Sequence, residues 1–276
     1  MDRIRLIASD MDATLLDEQS QLPADFEETI HALAELGIRF APASGRPLYT
    51  LEAMFPTLQD ELVFIGDNGG AIRWNGQNLF TSEMSPEGWR ALNRLTREQG
   101  DIAVLCGLES AYVERPFAVH DAVLRHFYTK IEYVDRLEDV TAPADKFTIY
   151  LPQHNAQQAY DTVYASQRSI YSVAVAGECW VDIMNPGVHK GAALQTLGQL
   201  WGLPSESMMA FGDTYNDAEM LRTAKYGFLM ENGSEPLRQK VPFLAPSHRE
   251  AGVMQVLHRV LAQNGCVCPE DFVPAH

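Results

Sequence analysis

The sequence predicts an α/β protein with a parallel-sheet core, split in the chain around an inserted α+β segment. Three observations carry this reading. Short apolar strands alternate with helix-period segments near both ends of the chain. That rhythm breaks between residues 84 and 186, where strand-like runs crowd together, and resumes at 187. Finally, four polar turns stand directly after four of the apolar strands.

The elements follow in order. Arg3 to Ser9 is a short apolar-rich strand. Over 23–37, Phe26, Ile30, Leu33 and Leu36 recur at helical spacing, and Gly37 supplies the stop. Residues 38–43 read as a strand, 47–55 as a helix and 62–65 as a third strand. Two apolar runs around Asn75-Gly76 predict a hairpin over 68–80. Within 84–186, strands are expected at 101–106, 110–115, 145–151, 170–175 and 179–184, and helices at 86–99, 117–127 and 153–168, built around an antiparallel sheet. The returning pattern gives helix 190–201, strand 207–211, helix 216–223, strands 226–229 and 242–244, and helix 250–262. The expected division is therefore 1–83 with 187–276 as a core, and 84–186 as an inserted cap.

Composition excludes several functions. The balance of 21 Lys+Arg against 37 Asp+Glu gives a formal charge of −16. Such a surface repels a phosphate backbone, so neither nucleic acid nor an anionic membrane is an expected partner. No apolar run approaches a membrane span, and Met1 to Asp12 is a charge-interrupted strand, not a signal peptide. A cytoplasmic protein, monomeric or a small homo-oligomer, is expected. Cys106, Cys179, Cys266 and Cys268 make no disulfide framework in a chain of 276 residues, and the last two read as free thiols on a tail. The eight histidines show no ligand spacing.

The chemistry lies in the turns. Asp10-Met11-Asp12-Ala13-Thr14 follows the first strand. A calcium loop fails there, because Leu15 replaces its glycine and Gln21 its bidentate Glu. Alone, the segment fits a turn with solvated carboxylates. Yet Ser44, Asp67-Asn68 and Gly212-Asp213 also follow strands, and the carboxyl ends of parallel strands face one crevice. N-capping explains one aspartate of Gly212 to Asp217, but not both. Asp10, Asp213 and Asp217 brought together would repel unless a cation sat among them, and oxygen-only donors favour magnesium over zinc. Magnesium calls for an anionic substrate such as a phosphate, and Lys190, at the start of a helix after the insertion, supplies an ammonium for the remaining charge.

These four segments, DMDAT, ASGRP with Ser44, HKG with Lys190 and GDTYND with Asp213 and Asp217, resemble the four motifs of the haloacid dehalogenase superfamily of phosphatases. Their order, and the insertion between the second and third, resemble the Cof-type branch with a type-IIB cap. The resemblance spans essentially the whole chain. It implies a Rossmann-like core, an α+β lid, and magnesium-dependent hydrolysis of phosphate monoesters through an aspartyl-phosphate. It makes Asp10 the nucleophile and Asp12 the general acid/base. Met11, Ser44, Gly45, Lys190 and Asn216 become the phosphate-binding set. Asp10, Asp12 through its backbone carbonyl, Asp213 and Asp217 become the magnesium set. The implied partner is a small phosphorylated metabolite, such as a sugar phosphate. The family usually has Gly where this chain has Ala13, which is unstrained only at negative φ.

The chemistry fits the residues themselves. A carboxylate nucleophile divides ester hydrolysis into transfer to Asp10 and attack by water, and Asp12 is placed to give and then take a proton. A phospho-acceptor receiver domain shares the acceptor Asp, magnesium and Lys, but lacks the second carboxylate, the insertion and the GDTYND turn. A phosphomutase of the same fold is the nearer alternative. A nucleophilic-serine elbow fails because Pro42 stands where Gly is needed, and no Walker loop is present. In the cap and hinge, Lys146, Asp182 and Asn185 are the first polar residues to weigh for specificity; each also reads as a solvated strand or hinge residue.

Overall fold

The computed structural model describes residues 1–276. The chain enters the core through β1 (Leu6–Asp10), α1 (Phe26–Glu35), β2 (Arg39–Ala43), α2 (Leu48–Ala53) and β3 (Val63–Gly66). All five residues of β1 are buried, as expected of a parallel strand covered on both faces. The hairpin β4 (Ala71–Trp74) and β5 (Gln77–Thr81) turns at Asn75-Gly76, as its sequence predicts.

The chain then leaves the core. It forms α3 (Pro86–Gln99), β6 (Ile102–Gly107), β7 (Ala111–Glu114), α4 (Asp121–Phe127), β8 (Ile131–Val134), β9 (Ala144–Tyr150), α5 (Ala156–Asp161), β10 (Ser172–Val175) and β11 (Trp180–Met184). These strands make a separate six-stranded sheet in the order β10-β11-β9-β6-β7-β8. The strand at 131–134 is absent from the sequence expectation, and it makes the sheet mixed: β8 pairs parallel with β7. It is four residues long and carries Glu132 and half-buried apolar side chains, so it shows little period. The helix expected at 153–168 is also shorter. Thr162 leaves the helical region at φ −118 and ψ −80. Its hydroxyl bonds back to the Gln158 carbonyl at 2.7 Å, a local competitor to the helix ladder.

The return adds α6 (Lys190–Trp201), β12 (Met208–Gly212), α7 (Ala218–Thr223), β13 (Tyr226–Met230), the single turn α8 (Glu235–Arg238), β14 (Phe243–Ala245), α9 (Gly252–Ala262) and β15 (Val273–Pro274). The core sheet has nine strands in the order β15-β14-β13-β12-β1-β2-β3-β4-β5. From β14 to β3 the neighbours are parallel. The C-terminal segment is not a loose tail: Cys266 pairs with Arg3, and β15 pairs with β14. Val267 and Phe272 are buried beneath it. All four cysteines are free. No helix is long and apolar enough to cross a membrane.

One face of the core sheet packs Ile7, Phe40, Phe64, Phe211 and Phe228 against α1 and α9. The other packs Leu6, Ala8, Ala210 and Leu229 against α6 and α7. The chain runs from β1 outward through β2 and β3, then restarts on the other side of β1 with β12. The strand order therefore reverses between β1 and β12, where a crevice opens at the carboxyl ends.

The close packing of α7 on β13 yields a test. A Cβ at Gly227 would stand 1.9 Å from the Leu221 carbonyl oxygen, with backbone on both sides of the clash. Gly227→Ala should destabilise the protein by about 3 kcal/mol, read as a lowered denaturation midpoint. An unchanged midpoint would contradict this packing.

Candidate active site

Strand register assembles the site. Ser9 pairs with Phe211 and Asp10 with Ala43, so Asp10, Ser44 and Gly212-Asp213 emerge at one level. Asp10, Asp213 and Asp217 are buried, and one carboxylate oxygen of each lies within 4.8 Å of the others. Lys190, fully buried, donates to Asp10 Oδ1 at 2.5 Å and to Asp217 Oδ1 at 2.7 Å. The other oxygen of Asp217 accepts from the backbone N–H groups of Asp213 at 3.0 Å and Thr214 at 3.2 Å. Gly212 allows this fold-back, since a Cβ there would meet Asp217 Cβ at 2.4 Å. Asp217 thus caps its own turn while holding Lys190.

One ammonium cannot balance three buried carboxylates. Burial, with the charges of Asp217 and Asp213 adding to it, pushes Asp10 up to about 7 against the pull of Lys190. Burial, then the charge of Asp217, pushes Asp213 up to about 6. Burial alone would lower Lys190, but Asp10 and Asp217 outweigh it and raise its pKa. The group is a hard, oxygen-only donor set with a net charge near −2 when ionised, which fits a divalent cation such as magnesium.

Asp12 stands outside that cluster. Its carboxylate is 58% exposed and is held by both ends of the Arg46 guanidinium, with Nη2 donating to Oδ1 at 3.0 Å. Of the expected phosphate binders, Ser44 is buried, and its hydroxyl accepts from the Arg46 N–H at 3.1 Å. Gly45 lines the same cavity. The Met11 side chain is buried in the apolar core, so only its backbone is left to face a ligand. Asn216 reaches the cavity rim, but its Oδ1 accepts from the Thr214 hydroxyl at 2.6 Å; Lys190 bonds Asp10 and Asp217, not Asn216. Ala13 sits at φ +57, so the strain that an alanine avoids only at negative φ is present here. The Asn232 side chain donates to its carbonyl at 2.8 Å.

The cap meets this site through a second buried charge cluster. Lys146, Asp67 and Asp182 are 2%, 1% and 4% exposed, which corrects the reading of Lys146 and Asp182 as solvated strand residues. Strand alternation puts Lys146 and Thr148 on the face of β9 opposite Phe147 and Ile149. Lys146 Nζ donates to the Gly45 carbonyl at 2.6 Å and pairs with Asp67 at 3.0 Å and Asp182 at 3.7 Å. Asp182 also accepts from Asn68 at 3.1 Å and Thr148 at 2.7 Å. Burial alone would lower the Lys146 pKa, but the attraction of Asp182 and Asp67 raises it well above its usual value. Neighbouring Asp145 is held well above the carboxylate range by burial and then by Asp67. Asn185 donates to the Ser82 and Glu83 carbonyls, at 3.2 and 2.8 Å, and so ties the two connections together.

Asp10, Asp12, Ser44, Asp213 and Asn216 line one cavity of about 350 Å³, together with the cap residues Phe127, Tyr128, Lys146, Trp180 and Asp182. The sequence reading gave no role to Arg46, although it directly follows Ser44-Gly45, nor to the aromatic cap residues, whose spacing is that of an ordinary core.

Comparison with known proteins agrees with this geometry. The family model for haloacid dehalogenase-like hydrolases matches residues 7–257. The 5-amino-6-(5-phospho-D-ribitylamino)uracil phosphatase YbjI of Escherichia coli (strain K12) is 32% identical over 262 residues, covering 94% of this chain and 96% of that protein. The HMP-PP phosphatase of Cronobacter sakazakii is 31% identical over 249 residues, covering 87% and 89%. Among solved structures, SMU.1108c from Streptococcus mutans UA159 superposes with a TM-score of 0.85 at 28% identity, covering 94% of this chain and 99% of that one.

The Lys146 cluster can be tested directly. Lys146→Met would leave Asp67 and Asp182 buried without their cation and should cost about 3–5 kcal/mol. Adding Asp67→Asn and Asp182→Asn should restore much of that loss, as measured by denaturation midpoints. A triple variant no more stable than Lys146→Met would show that the charges are not what the lysine serves.

Proposed function

The chain belongs to the haloacid dehalogenase-like hydrolases, and we propose that it is a magnesium-dependent phosphatase working through phosphorylated Asp10. The observation that carries this reading is the buried group of Asp10, Asp213 and Asp217 around Lys190, opening into the cavity beside Ser44. Asp10, the Asp12 carbonyl and Asp213 would hold the ion, with Asp217 in support. Bound there, magnesium would neutralise the surplus carboxylate charge and the charge on the phosphoryl oxygens.

The protein groups supply the rest. Ser44, Gly45, the Met11 backbone and Asn216 hold the phosphate in line with Asp10. Asp10 attacks phosphorus, the bond from phosphorus to the leaving oxygen breaks, and Asp12 gives that oxygen a proton. Asp12 then takes a proton from water, whose oxygen attacks phosphorus and frees Asp10 and inorganic phosphate. Lys190 keeps Asp10 oriented and offsets negative charge throughout. Arg46, bonded to Asp12, fixes the position of that carboxylate before the substrate arrives.

The cap, residues 84–186 in this reading, covers the cavity and chooses the leaving group. The relatives are named for small phosphorylated molecules, one of them a phospho-ribitylamino uracil. We extend that class, including sugar phosphates, to this chain, acting in the cytoplasm.

EDTA should abolish phosphate release and magnesium restore it; activity that survives EDTA, or returns only with zinc, would contradict the reading. The raised carboxyls give a second test. Because Asp10 and Asp213 titrate above an unfolded aspartate, the metal-free fold keeps protons that the unfolded chain releases from about pH 4. Their ionisation therefore removes stability as pH rises towards about 7 and 6, respectively. The gain in melting temperature with magnesium should grow from pH 5 to pH 8, and a gain independent of pH would count against this donor set.

A third test separates the two carboxylates. Asp12→Asn should slow transfer from an alkyl phosphate by about 10²–10⁴-fold. With p-nitrophenyl phosphate, whose leaving group needs no proton, it should give a burst of nitrophenol and trap phosphate on Asp10. Rapid-quench kinetics with mass analysis would decide. Equal first-step losses on both esters, without phospho-Asp10, would remove Asp12 from this role.

A further inference from the structure

The cavity has two chemically different ends. The core end carries Asp10, Asp12, Ser44, Asp213 and Asn216. The cap end carries Phe127, Tyr128 and Trp180, continued by Ala174, Val175 and Ala176. The aromatic residues form one connected wall. Phe127 meets Trp180 edge-on at 5.1 Å, and Tyr128 meets it at 6.4 Å. Tyr150 lies behind Trp180 at 4.6 Å. The Tyr128 hydroxyl is engaged by the Cys106 thiol in the cap interior.

The charged groups on the cap side are already used. Lys146 donates to the Gly45 carbonyl and is ion-paired with Asp67 at 3.0 Å and Asp182 at 3.7 Å, and Asp182 accepts from Asn68 and Thr148. Arg46 is held by Asp12. Among the lining residues, no cation is left to meet a second anion at the cap end. A polyol placed against the ring faces of Phe127 and Trp180 would lose water from its hydroxyls where those faces return no hydrogen bond. A flat apolar ring loses nothing of the kind and gains aromatic contact.

We propose that the leaving group this site is built for carries an uncharged aromatic or heteroaromatic ring at its far end, seated against Phe127, Tyr128 and Trp180. The phosphate ester lies at the near end, on Asp10. This deepens the phosphatase reading and rests on it. It moves specificity away from Lys146 and Asp182, which hold the cap sheet to the Gly45 and Asn68 turns, and onto the aromatic wall. Bisphosphates and phosphocarboxylates are disfavoured, because their second anion would meet the wall or Asp182.

The test compares phenylalkyl phosphates with ω-hydroxyalkyl and ω-carboxyalkyl phosphates of equal chain length, over linkers of about two to five carbons. Their leaving alkoxides are similar, so the chemistry is matched and the far end alone varies. In the wild-type protein the best phenylalkyl ester should exceed its hydroxyalkyl partner in kcat/KM by about tenfold or more, with the carboxyalkyl ester poorest. Phe127→Ala should bring the first ratio towards one. Equal rates for ring and hydroxyl, a preference for the carboxylate, or a ratio untouched by Phe127→Ala would overturn the proposal.

Acetyl phosphate with magnesium reports on the chemistry alone. If it is hydrolysed and the ring confers nothing, the ring inference fails and the phosphatase reading stands. If no ester is hydrolysed, the phosphatase reading fails, and binding of phenylalkyl against hydroxyalkyl phosphonates, by calorimetry with magnesium, still decides the leaving-group class.

Discussion

Buried charge at the junction of β1 and β12 constrains the rest of the molecule. Three carboxylates and one ammonium sit where two neighbouring parallel strands end. Such a group is stable only if every oxygen is either bonded or matched by a cation. The fold supplies what it can. Asp217 accepts from two backbone N–H groups and from Lys190, and Lys190 enters from the first turn of α6. What remains unbalanced, on Asp10 and Asp213, is negative charge that a divalent cation would offset. The cost of that imbalance falls on Asp10 and Asp213, whose carboxyls burial and neighbouring charge hold above the usual range.

A different solution appears a short distance away. The Lys146 cluster is also buried, yet its cation is paired with Asp67 and Asp182, Lys146 donates to the Gly45 carbonyl, and Asp182 accepts from Asn68 and Thr148. Its members come from the core turns and from the cap sheet alike. The arrangement fixes the cap against the loop that follows Ser44, so the position of the cap and the shape of that loop are set by the same bonds. Arg73 with Glu109 and Thr50 with Thr129 add contacts between the same two layers. The cavity lies between the two layers that these bridges join, and on the cap side it is walled by Phe127, Tyr128 and Trp180.

How much of this was legible in the sequence depends on the range of the interaction. Asp10, Ser44, Lys190, Asp213 and Asp217 follow strand ends or open a helix, and the parallel topology alone brings them together. The alternating rhythm likewise marked the insertion, because it is a local period. The Lys146 cluster was not legible. Lys146 pairs with Asp67 and Asp182 across a sheet and a layer boundary, and nothing near Lys146 in the chain shows that its strand face turns inward. The parallel strand at 131–134 and the early end of α5 at Asp161 escaped for a related reason. The first is held by its neighbour β7, and the second ends where the Thr162 backbone leaves the helical region, which propensity does not record.

The first turn shows how two carboxylates two positions apart acquire different surroundings. Asp10 ends β1 and is 8% exposed, held by Lys190. Beyond it the chain turns, with Ala13 forced to φ +57, and Asp12 projects towards the cavity, where Arg46 meets it. A continuous strand would have sent both side chains to the same face. The turn instead places one carboxylate within the charged cluster and leaves the other open to the side where a leaving group would lie. An alanine in a left-handed conformation costs about 1–2 kcal/mol, and the Asn232 bond to its carbonyl helps hold it. That local strain separates a buried carboxylate from an accessible one, a division the two aspartates could not reach by sequence spacing alone.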